Sequence, residues 1–209
     1  MDRDLDLIIL AADRSIRTAL DALLSRFPLR GGSARLDFLV PGTDSVAFHQ
    51  AVELLRGYLR RAKYALMILD FQWSHNFPNS TDMYADLKGR LDRNGWSERC
   101  EVIVIDPMLE SWAWADIQTL ARCISPKYAP QVQQALMNQK PAHGKPADPK
   151  KALRDLRLPG IRRVPGFKLD DAFYNELAWH IPKQVILRCQ DPSFVKLRSA
   201  LSSWFGPWP

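Results

Sequence analysis

Cysteine is scarce in this chain of 209 residues: Cys100, Cys123 and Cys189 are the only three. They are too few and too scattered for a disulfide framework or a zinc knuckle. Long hydrophobic runs are missing as well. The longest, Leu7 to Ala12 and Ala65 to Leu69, fall far short of the ~20 apolar residues that a membrane span requires. The opening Met1-Asp2-Arg3-Asp4 is acidic, unlike the basic start of a signal peptide, so the expected location is the cytoplasm. No Gly-x-Gly-x-x-Gly follows the first strand candidate and no Walker A sequence occurs, which argues against dinucleotide and P-loop binding. Ser15 and Ser111 fall near strand ends, yet no Gly-x-Ser-x-Gly elbow supports nucleophilic catalysis. His49, His75, His143 and His180 lack metal-ligand spacing; His75 alone falls near the candidate site, and a surface-loop histidine is its plainer reading. There is no internal repeat.

What is present is ordinary globular composition, 46% hydrophobic and 25% charged, which excludes disorder, collagen and a coiled coil. The first half alternates short apolar runs with helical periodicity. Leu5 to Ala12 reads as a strand buried on both faces, followed by an amphipathic helix over Arg14 to Phe27. Arg35 to Val40 is a second strand, and a helix is expected from Val46 to Lys63. Tyr64 to Leu69 is the clearest buried strand, followed by a helix over Thr81 to Leu91. Val102 to Ile105 is the fourth strand, and one helix is expected over Leu109 to Ile124. This order predicts an α/β fold: a parallel four-stranded sheet with helices on both faces.

The composition shifts at Ser125. Seven of the 15 prolines lie between Pro126 and Pro165. Between Lys127 and Lys168 stand 10 basic residues against Asp148 and Asp155, so this stretch carries +8 of a net +6 and the rest of the chain sums to −2. A localised basic excess points to a polyanion partner, with a solvated surface arm as the plain alternative. Lys145, Lys150, Lys151 and Arg154 cluster at a helix start, where the last three are expected to share a face and contact phosphates without sequence choice. The chain therefore divides into an α/β domain over 1–124 and a basic, proline-rich, partly helical region over 125–209 whose terminal helices pack on it. Helices are expected over Asp171 to Trp179 and Ser193 to Phe205, while Lys183 to Cys189 is ambiguous between helix and strand.

Ligands of open parallel sheets bind beyond the carboxyl ends of the strands. Here those ends carry Asp13, Asp44, Asp70, and Asp106 followed by Glu110. Asp is also a common cap and turn residue, so any one of them has a plain structural reading. A cluster of such acids is tolerated when a divalent cation neutralises it, and Mg²⁺ takes one or two carboxylates plus waters and phosphate oxygens. Trp73, beside Asp70, either stacks a base or packs at the sheet edge. The terminal Trp204-Phe205-Gly206-Pro207-Trp208-Pro209 either docks a partner or packs on its own domain.

The order strand–Asp13–helix–strand–helix–strand–Asp70–helix–strand resembles a Toprim domain. Within that group, VIVIDPMLESWAWAD (Val102 to Asp116), KPADPKKAL (Lys145 to Leu153) and RCQDPSFVKL (Arg188 to Leu197) are similar to segments of small RloB-like proteins of prokaryotic defence islands. The resemblance implies nucleic-acid processing by a Mg²⁺- or Mn²⁺-dependent phosphodiester nuclease. Asp13, Asp70 and Glu110 would be its catalytic acids, and the same three with Gln72 its metal ligands. Expected partners are nucleic acid and a partner ATPase or another defence-system subunit, with no membrane. Departures from the pattern are plain: Asp13-Arg14 replaces the usual Glu-Gly, and Asp70-Phe71-Gln72 puts an amide where a second carboxylate belongs. The alternative is therefore a decayed Toprim-like adaptor that binds nucleic acid or a partner without catalysis. A receiver-like phosphoacceptor domain is a third reading, but it lacks the Lys that should follow a fifth strand.

Overall fold

A computed structural model describes residues 3–74, 76–139, 144–161 and 164–209. His75, Lys140, His143, Arg162 and Arg163 of the sequence reading lie outside them. Four strands form one all-parallel sheet in the order β2-β1-β3-β4: β1 (Leu5–Ala11), β2 (Leu36–Leu39), β3 (Ala62–Asp70) and β4 (Cys100–Ile105). This is the α/β architecture expected from the alternating pattern. β1 is central because its side chains can be apolar on both faces: Leu7 to Ala11 are all fully buried. β3 is as deeply enclosed from Leu66 to Leu69.

Helix α1 (Arg14–Arg26) follows β1, α2 (Asp44–Arg56) follows β2 and α3 (Ser80–Leu91) follows β3. Each is capped by a side chain accepting a first-turn N–H: Asp13 from Ile16, Thr43 from Val46 and Asn79 from Asp82. Two expected helices end earlier than their periodicity implied. α2 stops at Arg56 rather than Lys63, because Gly57 leads into a turn in which the Tyr58 carbonyl accepts from both Arg61 and Ala62. The apolar Ala62 that prolonged the helical pattern instead begins β3. The single helix expected over Leu109 to Ile124 is two, α4 (Glu110–Ala113) and α5 (Ile117–Ile124). Asp116 divides them by capping α5 through Gln118 N (3.1 Å) and the Thr119 hydroxyl (2.6 Å).

The basic region holds α6 (Ala129–Gln139) and α7 (Pro149–Arg154), with Leu153 buried, and an irregular stretch over 155–161 pinned by buried Leu156 and Leu158. The ambiguous segment is helical, α9 (Lys183–Arg188), between α8 (Asp171–His180) and α10 (Pro192–Phe205). α8 packs along α1 and α10 lies on β4, so one hydrophobic cluster runs from Leu7 to Trp208. The C-terminal segment packs on its own chain. Trp208 is buried, with its indole N–H donating to the Phe27 carbonyl at 2.8 Å, and Trp204 stacks on Tyr64 at 4.8 Å.

Candidate functional site

All four strands point the same way, so the loops after them meet at one rim. Asp13 follows β1, Asp44 opens the helix after β2, Asp70 ends β3 and Glu110 opens the helix after β4. A relay of backbone contacts ties these loops together. Asp44 Oδ1 accepts from the Asp70 N–H, and Asp70 Oδ1 accepts from the Leu109 N–H, each at 2.8 Å. Asp13 Oδ1 accepts from the Ile16 N–H at the same distance, so it serves as a helix cap while also facing the cluster. The sheet order places β1 between β2 and β3. Asp13 and Asp70 therefore flank the point where chain connections diverge, the usual crevice of such sheets.

The acids feel one another. Burial pushes the Asp44 carboxyl up to about 6, with Asp13 adding to the shift and the Asp70 N–H opposing it. Asp70 is pushed well above the ordinary carboxylate range, first by burial and then by the charges of Asp44, Glu110 and Asp13. Glu110 is 1% exposed. Its Oε1 accepts from the Tyr174 hydroxyl at 2.6 Å and lies 3.4 Å from Lys150 Nζ. Burial and the neighbouring Glu110 push the Tyr174 hydroxyl up, so it remains a proton donor at ordinary pH.

Asp13, Asp70 and Glu110 are thus brought to one rim, joined by Asp44. Glu110 lies behind the others, with Oε1 already engaged. Gln72 is exposed in the turn after β3, where its backbone N–H donates to the Pro107 carbonyl at 2.9 Å. Asp106 turns away to accept from the Ser80 hydroxyl at 2.8 Å. Trp73 packs against Phe48, with ring centroids 5.5 Å apart.

The four basic candidates do not form one face. Lys150 reaches inward to Glu110, because residues 150 and 151 point about 100° apart on a helix. Lys145 is tied to Asp191 and to the Asp106 carbonyl. Lys151 and Arg154 are exposed, with Lys151 paired to Asp155 one turn away. Sequence reasoning missed Tyr174 altogether, since nothing local signals a contact with a residue 64 positions earlier.

The donor set suits a hard cation in part. Asp13, Asp44 and Asp70 are partly exposed, each spends one oxygen on a backbone N–H, and no side chain among the described residues donates to the second. Among the described residues, however, no group of three or more His, Cys, Asp or Glu side chains is arranged to hold a metal ion. Two aspartates completed by water are what Mg²⁺ accepts. Among the described residues no helix is long and apolar enough to cross a membrane. No family model matches the chain, and no curated protein or solved structure matches it.

Proposed function

We propose that this is a Toprim-like, cytoplasmic nucleic-acid-processing protein of a prokaryotic defence system, cleaving phosphodiesters with Mg²⁺ or Mn²⁺. The observation that carries the reading is the meeting of Asp13, Asp44 and Asp70 at the divergence point of the sheet, with Lys150 alongside. Asp44 and Asp70 are raised first by burial and then by one another and the neighbouring acids, and a divalent ion would supply the opposing charge. Two of the three aspartates would hold the ion, whose chemistry is to activate water and stabilise the phosphoryl transition state. Glu110 acts through other groups: it fixes Lys150 and the Tyr174 hydroxyl at the edge of the cluster. Lys151 and Arg154, facing outward on α7, supply backbone phosphate contacts. Incubation of plasmid DNA and of RNA with Mn²⁺ tests the assignment. Nicking is expected, with a loss of at least ~100-fold in Asp70→Ala; cleavage that survives this substitution removes Asp70 from the chemistry.

A second reading rests on the engagement of Glu110 by Lys150 and Tyr174 and on the outward Gln72, which together leave fewer ligands than an active Toprim centre. Under it the protein is an adaptor that binds nucleic acid or a defence-system subunit such as an ATPase. Titration calorimetry separates the two: heat on adding millimolar Mn²⁺ favours the enzyme. Silence with retained, salt-sensitive nucleic-acid binding favours the adaptor.

A further inference from the structure

The opposite rim of the sheet, where the strands begin, carries a second constellation. Arg3 stands just before β1, Arg60 and Lys63 bracket the start of β3, and Arg99 immediately precedes β4. With Leu59, Tyr64 and Glu98 they line an open cleft of about 690 Å³. That volume falls inside the ~300–1,000 Å³ typical of small-molecule sites.

Neutralisation of this cleft is incomplete. The Arg99 guanidinium is fixed by four backbone carbonyls, those of Ala62 (3.1 Å), Lys63 (3.3 Å), Leu59 (3.4 Å) and Gly95 (3.0 Å). These contacts engage both terminal nitrogens and leave its charge without a carboxylate partner among the described residues. Glu98, at a φ of 61°, holds the left-handed turn that delivers Arg99 to this position. Lys63 reaches Asp6 at 2.9 Å, but that one carboxylate is shared with Arg30 and Arg35 at 3.5 and 3.7 Å. Arg3 and Arg60 make no ion pair among the described residues, and Arg60 is exposed. The like charges of Arg3 and Arg99 also lie near enough for Arg3, after burial, to depress the Arg99 guanidinium. Two guanidinium forks that have no ion-pair partner among the described residues, beside a rigid third cation, are the donor set that recognises phosphate oxygens.

We propose that this cleft binds a pyrophosphoryl group, free or carried by a nucleoside. Arg3 and Arg60 supply the hydrogen bonds and Lys63 and Arg99 the fixed positive field, while Leu59 offers the apolar wall that a base would cover, beside Tyr64, whose ring is already stacked on Trp204. The acidic rim takes no part, so the inference stands without the nuclease reading. It is tested by calorimetry in EDTA, which silences cation-dependent binding at the other rim, with sodium pyrophosphate and with ADP as titrants. Saturable binding is expected. It should weaken at least ~10-fold in the Arg3→Ala/Arg60→Ala double variant, a difference of ~1.4 kcal/mol. The charge control Arg188→Ala, on α9, should leave it unchanged. Equal affinity for the two titrants identifies the free anion as the ligand, and tighter ADP binding identifies the nucleotide. Absence of binding at millimolar titrant, or binding that persists in a double variant melting like the parent, overturns the site.

Discussion

The two ends of one sheet treat a carboxylate in opposite ways. Asp6, near the start of β1, is 4% exposed and is held below the usual carboxylate range. The Arg35 N–H at 3.0 Å is the main cause, with the Lys63 ammonium assisting against burial. Asp44 and Asp70, at the ends of β2 and β3, also accept backbone N–H groups, yet both are pushed upward. Hydrogen bonding is common to both ends, so it does not alone account for the difference. Burial and company together do: desolvation is the first cause at Asp44 and Asp70 and neighbouring acids reinforce it, whereas at Asp6 the Arg35 N–H and the Lys63 and Arg35 charges outweigh it. A parallel sheet exposes all its strand starts at one edge and all its strand ends at the other. This chain has sorted its charges accordingly.

Removing Asp6 should produce the largest effect. Asp6→Ala leaves the Arg35 N–H and three cations without their shared acceptor, and should cost about 3 kcal/mol at neutral pH in urea unfolding. Asp70→Ala orphans the Leu109 N–H but also removes a carboxylate whose charged form burial and its neighbours disfavour, and should cost only about 1 kcal/mol. Equal costs would dissolve the contrast between the rims.

Glu110→Ala ranks next, at about 2 kcal/mol, because it orphans the buried Tyr174 hydroxyl and unpairs Lys150. Glu110→Gln retains an acceptor for Tyr174 and should recover roughly half of that loss. Should the two variants melt alike, the hydroxyl contact contributes nothing and Glu110 acts through Lys150 alone.

The acidic rim was legible in the sequence because its residues follow strands that announce themselves as unbroken apolar runs, Leu7 to Ala11 and Ala65 to Leu69. Asking what ends each strand was enough to find Asp13, Asp44, Asp70 and Glu110. The basic rim obeys the same logic in mirror image, since Arg3, Lys63 and Arg99 stand at or just before the starts of three strands. It stayed hidden because the charge count followed contiguous sequence. That count singled out the segment from Lys127 to Lys168, whereas folding gathered cations spaced tens of residues apart. Lys150 shows the converse case. Its place in a basic run pointed outward to phosphate, and a buried carboxylate from another loop turned it inward. Helix ends were misjudged where apolar spacing continued past a stop signal: Gly57 ended α2 and Asp116 restarted the helix after α4.

The finest probe of the contrast is the dependence of stability on pH. Asp44 has a folded pKa of about 6 against an ordinary value of 3.8. The folded state therefore holds its proton more tightly than the unfolded chain does. The associated stability is fully present below the ordinary value and is lost as pH rises through about 6. Asp6 runs the other way, its contribution standing above 3.8 and disappearing as pH falls through its lowered folded value. Wild-type stability should accordingly peak between these two limits and decline toward neutrality. Asp44→Asn, whose amide oxygen still accepts from Asp70, removes the upper decline alone, gaining about 1 kcal/mol near pH 7.5 and nothing near pH 4. Urea midpoints at both values check this. A gain that is the same at the two pH values would mean that the Asp44 carboxyl is not raised in the folded state, and the acidic rim would then lose its need for a cation.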